Sequence, residues 1–148
     1  MKYFIDAEFD GFGGQLLSLA IVREDEKSLY LVYPEPEEYQ EPWVIKNVVP
    51  IMFNIPPGHE ATVVSDWGEG ARFIQEFFRN DSAPVLIFDW PDDIKYFCQA
   101  LMVGPGQMVG LDNLTMRMFR VNAYPTALSG AVQHNALWDA LALAQLFL

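Results

Sequence analysis

The chain has 148 residues, 51% of them hydrophobic and 20% charged, with a formal net charge of −11 at pH 7. That length suits one domain over residues 1–148 with a core of its own, and 14% aromatic residues exclude a disordered chain. Nine basic residues against twenty acidic ones exclude coating of nucleic acid through a broad basic patch. Metal ions change this locally: two divalent cations offset four carboxylates, so a metal-dependent nuclease stays open.

The segment Lys2 to Phe9 is rich in strand-forming residues, and Phe12-Gly13-Gly14 supplies a turn before Leu16 to Val22. A charged turn, Arg23 to Lys27, leads into Ser28 to Tyr33, which predicts a three-stranded antiparallel meander. The acidic, Pro-rich stretch Pro34 to Pro42 reads as a surface loop, and a short helix is predicted around Trp43 to Phe53, ending near Pro50. Ser65 or Asp66 is placed to cap a helix at Glu69 to Arg79, with Phe73, Ile74 and Phe77 as its apolar face.

Pro84 to Phe88 (PVLIF) is a continuous apolar run, as expected of a strand buried on both faces. Pro91 suits the first turn of a helix running to about Met102, and Met108 to Leu111 reads as one more short strand. The last helix is predicted from about Asn135 to Leu148. Strands followed by alternating helix and strand predict an α/β fold, a mixed central sheet flanked by helices. The most apolar stretch, Ala136 to Leu148, is shorter than the roughly 20 residues of a membrane span, and Asp139 interrupts it. Met1 to Ile5 runs into Asp6 and Glu8 without an h-region, and Cys98 has no partner for a disulfide. No signal peptide and a cytoplasmic setting are therefore expected.

Three groups of acids carry chemistry. Asp6 and Glu8 stand at i and i+2 of a strand, so both point from one face, among Tyr3, Phe4, Ile5 and Phe9. Two close carboxylates in apolar surroundings share a proton or hold a cation, whereas an edge strand would leave both in water. Asp139 is the only charge in NALWDALALAQLFL, a helix apolar nearly all round. A buried carboxylate needs a partner, either a metal or a salt bridge to Arg117 or Arg120. Asp89, Asp92 and Asp93 follow the buried strand, at the carboxyl end where α/β sheets gather ligands. Some of them complement the dipole of the following helix, and one is expected to turn inward.

Asp6-x-Glu8, a later Asp beyond a buried strand, and His134-x4-Asp139 resemble the pattern of the DEDDh 3′→5′ exonucleases, in the RNase H-like superfamily. HNALWDA is similar to that family's third motif, and LDNLTMRMF to the segment before it. YFIDAEFDG, LLSLAIV and WVIKNVVP resemble the RNase AS group of small exoribonucleases, which trim adenylate-rich RNA 3′ ends.

The resemblance implies an RNase H-like fold, with Asp6, Glu8, Asp93 and Asp139 as metal ligands and His134 as general base. It favours Asp93 as the third acid, with Asp89 at a polar strand-end position and Asp92 as the alternative register. Two divalent cations, Mg²⁺ or Mn²⁺, would be the cofactors. His134, as an imidazole, is the side-chain type suited to removing a proton from water at neutral pH. The family's Thr-Thr-Gly is replaced by Phe9-Asp10-Gly11, which with Phe12 forms the expected substrate-binding segment.

The implied substrate is a single-stranded 3′ end, RNA favoured over DNA, with no membrane partner; a homodimer stays open. Two other classes remain: an RNase H-type endonuclease, which does not need His134 spaced to Asp139, and a catalytically inactive interaction module. Trp90 and Trp138 are expected in the core, His59 in an exposed loop, and Cys98 in an apolar helix without a nucleophilic role.

Overall fold

The computed structural model describes residues 1–121 and 128–147. A six-stranded sheet organises them, built on the antiparallel meander β1 (Lys2–Phe9), β2 (Leu16–Arg23) and β3 (Ser28–Val32). The first turn is close enough to require glycine. Gly11 and Gly13 have φ of 74°, and a Cβ on Gly14 would stand 1.8 Å from the Asp10 carbonyl oxygen.

Helix α1 (Pro42–Asn47) starts at a Glu41 cap and is followed by a single 3₁₀ turn at Val49–Ile51. The short strand β4 (Ala61–Val63) pairs in parallel with β3 at the sheet edge, a strand the sequence pattern does not signal. Helix α2 (Trp67–Phe78) is capped by Asp66, whose carboxylate accepts the Glu69 N–H at 2.8 Å. Its buried face is Gly70, Ala71, Ile74 and Phe78, while Phe73 is 40% exposed. Of the expected face, Ile74 is buried and Phe77 packs partly against the core beside Tyr3 and Phe78, so only Phe73 departs from it.

Strand β5 (Val85–Phe88) lies parallel to β1, as PVLIF predicts, with Leu86 and Phe88 facing one core and Ile87 the other. Helix α3 (Pro91–Ala100) begins at Pro91 as expected. The expected strand at Met108 is only the second half of a hairpin, β6 (Met102–Gly104) with β7 (Gln107–Met108), outside the main sheet. The sixth strand is instead β8 (Thr115–Met118), parallel to β5 and exposed along its whole length. Helix α4 (Ala136–Gln145) closes the fold; Leu148, its expected last residue, lies outside the described residues.

The observed class is α/β, with strand order β4-β3-β2-β1-β5-β8 and helices on both faces. Tyr3, Ile5 and Ala7 of β1 face the core shared with α2 and α3, whereas Phe4 faces the core shared with α1 and α4. Alternation along β1 therefore aims Asp6 and Glu8 toward the α4 side. Among the described residues no helix is long and apolar enough to cross a membrane.

Candidate active site

Five carboxylates converge at the carboxyl end of β1. Oxygens of Asp6, Glu8 and Asp139 lie within 4.8 Å of one another, and so do oxygens of Asp6, Asp89 and Asp93. Asp6 belongs to both groups and stands between them. A bulge interrupts the β1–β2 register between Glu8 and Phe9, where Ser18 opposes Glu8 and Leu16 opposes Phe9. Such an irregularity re-aims side chains at a strand end.

Local chemistry fixes each acid. Asp93 sits in the first turn of α3 and is buried, and its carboxylate accepts the Ala7 N–H at 3.1 Å. That bond ties α3 to the strand between the two β1 acids. Asp139 is held by the way α4 starts. The Asn135 side chain accepts from the Leu137 and Trp138 N–H groups, and its amide donates to the Ile51 and Met52 carbonyls at 3.0 and 3.1 Å. The Trp138 indole donates to the Asn54 carbonyl at 3.0 Å, which sets the rotation of the helix. Neither Arg117 nor Arg120 pairs with Asp139, whose carboxylate instead accepts the His134 N–H at 3.2 Å.

Electrostatics of the cluster favour a cation. Burial, and then the neighbouring acids, push Asp6 and Glu8 well above the ordinary carboxylate range. Burial raises Asp93 to about 8 and Asp139 to about 7, with Asp89 adding like-charge repulsion to each. Asp89 is itself raised by burial, with partial relief from the Arg120 charge. Asp6 Oδ2 is buried without a hydrogen-bond partner, an orphan acceptor in the middle of the cluster. A hard divalent ion fits this set, since it takes carboxylate oxygens and removes the repulsion.

The acids open into a cleft of about 490 Å³ that also contains Phe9, Trp90, Gln133 and His134. His134 is exposed at the mouth, with a left-handed backbone (φ 66°) and its ring edge-on to Trp43, 4.9 Å between centroids. An adjoining apolar hollow of about 380 Å³ is lined by Glu8, Phe9, Gly11, Glu41, Trp43 and Val44. A larger hollow, about 560 Å³, lies between α2 and the segment before β8, and its acids form no metal-capable group among the described residues.

The expected site residues thus meet, with two exceptions in the substrate segment. Phe9 stacks on Tyr96 and walls both cavities, and Gly11 lines the apolar one. Asp10 is buried with its carboxylate held by the Gln40 and Glu41 N–H groups, so it shapes the loop and does not face the cavity. Phe12 is 92% exposed and lines none of these cavities.

Trp43, Trp90 and Gln133 were not foreseen at the site. For Trp43 the signal was its helical phase, since the buried Val44 and Val48 define a face that leaves Trp43 outside. Trp90 departs from its expected core position and is 46% exposed, whereas Trp138 is buried as expected. His59 is half-buried through a 2.6 Å contact with the Ser28 hydroxyl, and Cys98 is exposed on α3.

Compared with known proteins, the chain matches no family model and no curated sequence.

Proposed function

We propose that the protein is a metal-dependent 3′→5′ exonuclease of the DEDDh type, acting on RNA in preference to DNA and releasing 5′-monophosphates. The observation that carries this reading is the pair of carboxylate groups sharing Asp6, with His134 at the mouth of the same cleft. The sheet is compatible with the RNase H-like fold that the reading implies: it is a mixed α/β sheet in which an antiparallel meander is continued by β5 and β8, both parallel to β1.

Asp6, Glu8 and Asp139 would hold one divalent cation, Mg²⁺ or Mn²⁺, and Asp6 with Asp93 and Asp89 a second. Such ions, when bound, supply the positive charge that activates water and stabilises the leaving oxygen in phosphodiester hydrolysis. The chain's own groups perform the remaining tasks. His134 accepts the proton of the attacking water, and its exposed position lets the ring reach the cleft as substrate arrives. Its backbone N–H stays on Asp139, which couples the base to a metal-holding acid. The hollow beside Phe9, Gly11 and Trp43 accommodates a terminal base, and Glu8 at its edge is positioned to accept a hydrogen bond from a 2′-hydroxyl.

The deciding experiment incubates the protein with 5′-labelled linear RNA and with circular RNA of the same sequence, in Mn²⁺. The expected result is a ladder shortened from the 3′ end, an intact circle, and no products from Asp6→Asn. Rapid cutting of the circle overturns the exonuclease reading in favour of an endonuclease. No cleavage of either RNA in Mn²⁺ or Mg²⁺ leaves the inactive interaction module.

A further inference from the structure

The rim of the cleft next to Asp89 carries an aromatic–cation pair that the hydrolytic step does not use. The Trp90 indole is anchored at one edge, where its N–H donates to the Asp92 carboxylate at 3.2 Å. The guanidinium of Arg120 lies over the ring, 4.8 Å from its centroid. The Phe119 N–H donates to the Phe88 carbonyl at 2.8 Å, so the chain leaving β8 runs beside the chain leaving β5, at the cleft. Arg117 lies just upstream on β8, an edge strand with every residue exposed.

Charge singles out the same segment. The chain carries −11 overall, yet no acidic residue occurs between Asp112 and Asp139, while Arg117 and Arg120 both do. A polyanion approaching the carboxylate cleft meets repulsion from most of the surface and attraction along this strand. A guanidinium stacked by its face on an aromatic ring keeps its edge N–H groups free to donate to phosphate. An exposed indole offers a stacking surface that any base fits. An exposed cation–π pair contributes only about 0.5–1 kcal/mol to folding, so its placement at the rim suits ligand contact better than stability.

We propose that Trp90 and Arg120 form a platform for the nucleotide upstream of the one being removed, and that single-stranded RNA leaves the cleft along β8 past Arg117. The proposal rests on the exonuclease reading. Trp90 stacks the base, Arg120 holds the adjoining phosphate, and Arg117 takes a later one.

The test is fluorescence anisotropy with a 5′-labelled ten-nucleotide RNA, in Ca²⁺ to slow turnover, over a series of salt concentrations. Trp90→Ala should weaken binding roughly five- to a hundredfold, and Trp90→Phe should retain most of the affinity. Arg120→Ala and Arg117→Ala should each reduce the slope of log K against log salt by about 0.7, the value for one lost single-strand phosphate contact. Melting curves that match the parent's identify these as losses of contact and not of fold. If the parent binds and shortens RNA while all the variants keep its affinity and slope, the platform is overturned and the exonuclease reading stands. A parent that neither binds nor shortens RNA overturns both. Variants that keep RNA affinity but separate a dimer in sedimentation would assign this face to a second copy and end the RNA proposal.

Discussion

Ala7 donates its backbone N–H to the carboxylate of Asp93 across 86 residues of sequence, at 3.1 Å and out of contact with water. Ala7 lies between Asp6 and Glu8 on β1, so one hydrogen bond sets the spacing between the strand acids and the helix acid. The same bond lowers the pKa of Asp93, against the larger effect of burial and the repulsion from Asp89.

Metal affinity should report this arrangement directly. Calorimetric titration with Mn²⁺ should show binding to the parent and none to Asp6→Asn, because Asp6 serves both groups. Asp93→Asn and Asp89→Asn should each weaken binding by more than about tenfold, the lower end of what outer-shell changes cost. A larger loss at Asp89 than at Asp93 would assign the third ligand position to Asp89. Parent-like binding in Asp6→Asn would remove the proposed site.

Stability should fall with rising pH when metal is absent. Asp93 and Asp139 are raised to about 8 and about 7 in the folded protein, against an ordinary Asp value of 3.8. Groups raised on folding contribute stability that is present in full below the unfolded value and is lost as pH rises through the folded one. Melting in EDTA should therefore drop between pH 5 and pH 8.5, by roughly 5 °C or more for a chain of this size. Millimolar Mn²⁺ should flatten or reverse the trend, since it binds the ionised cluster of the native state. A flat profile in EDTA would show that the acids are not crowded as described.

His134→Ala should separate base from ligand. Its side chain faces the cleft mouth, while its contact with Asp139 runs through the backbone, which alanine keeps. Mn²⁺ affinity should stay within about twofold, and turnover should fall by roughly 10²–10⁴-fold. A matching loss of metal binding would make His134 a ligand. Undiminished turnover would remove it from the mechanism.

Asn135→Ala should destabilise the protein by about 1–3 kcal/mol, seen as a lower melting temperature. The side chain caps α4 and bridges its N-terminus to the Ile51 and Met52 carbonyls. Asn135→Asp should restore the cap and leave the two carbonyls without their donor, so an intermediate melting temperature is expected. Equal melting of all three proteins would show that Trp138 alone sets the rotation of α4.

Much of the site was legible in short windows of sequence because its logic is local there. Strand alternation places Asp6 and Glu8 on one face, and a single charge in an apolar helix marks Asp139 as buried and in need of a partner. The apolar run at Val85–Phe88 announces a strand covered on both faces, which in turn places the acids after it at a strand end. Those inferences need only period, burial and charge.

Tertiary structure decided which acids meet. Asp89, Asp92 and Asp93 are equivalent as a string; the start of α3 turns Asp93 onto the Ala7 N–H and leaves Asp92 at the rim beside Trp90. Strand β8 escaped prediction because an exposed edge strand has no buried face to impose a period of two on its side chains. Trp43 and His134 meet through helices anchored on the same face of the sheet, a closeness no local pattern encodes. Side-chain period records what a segment buries, while partner identity depends on the sheet order that brings distant segments side by side.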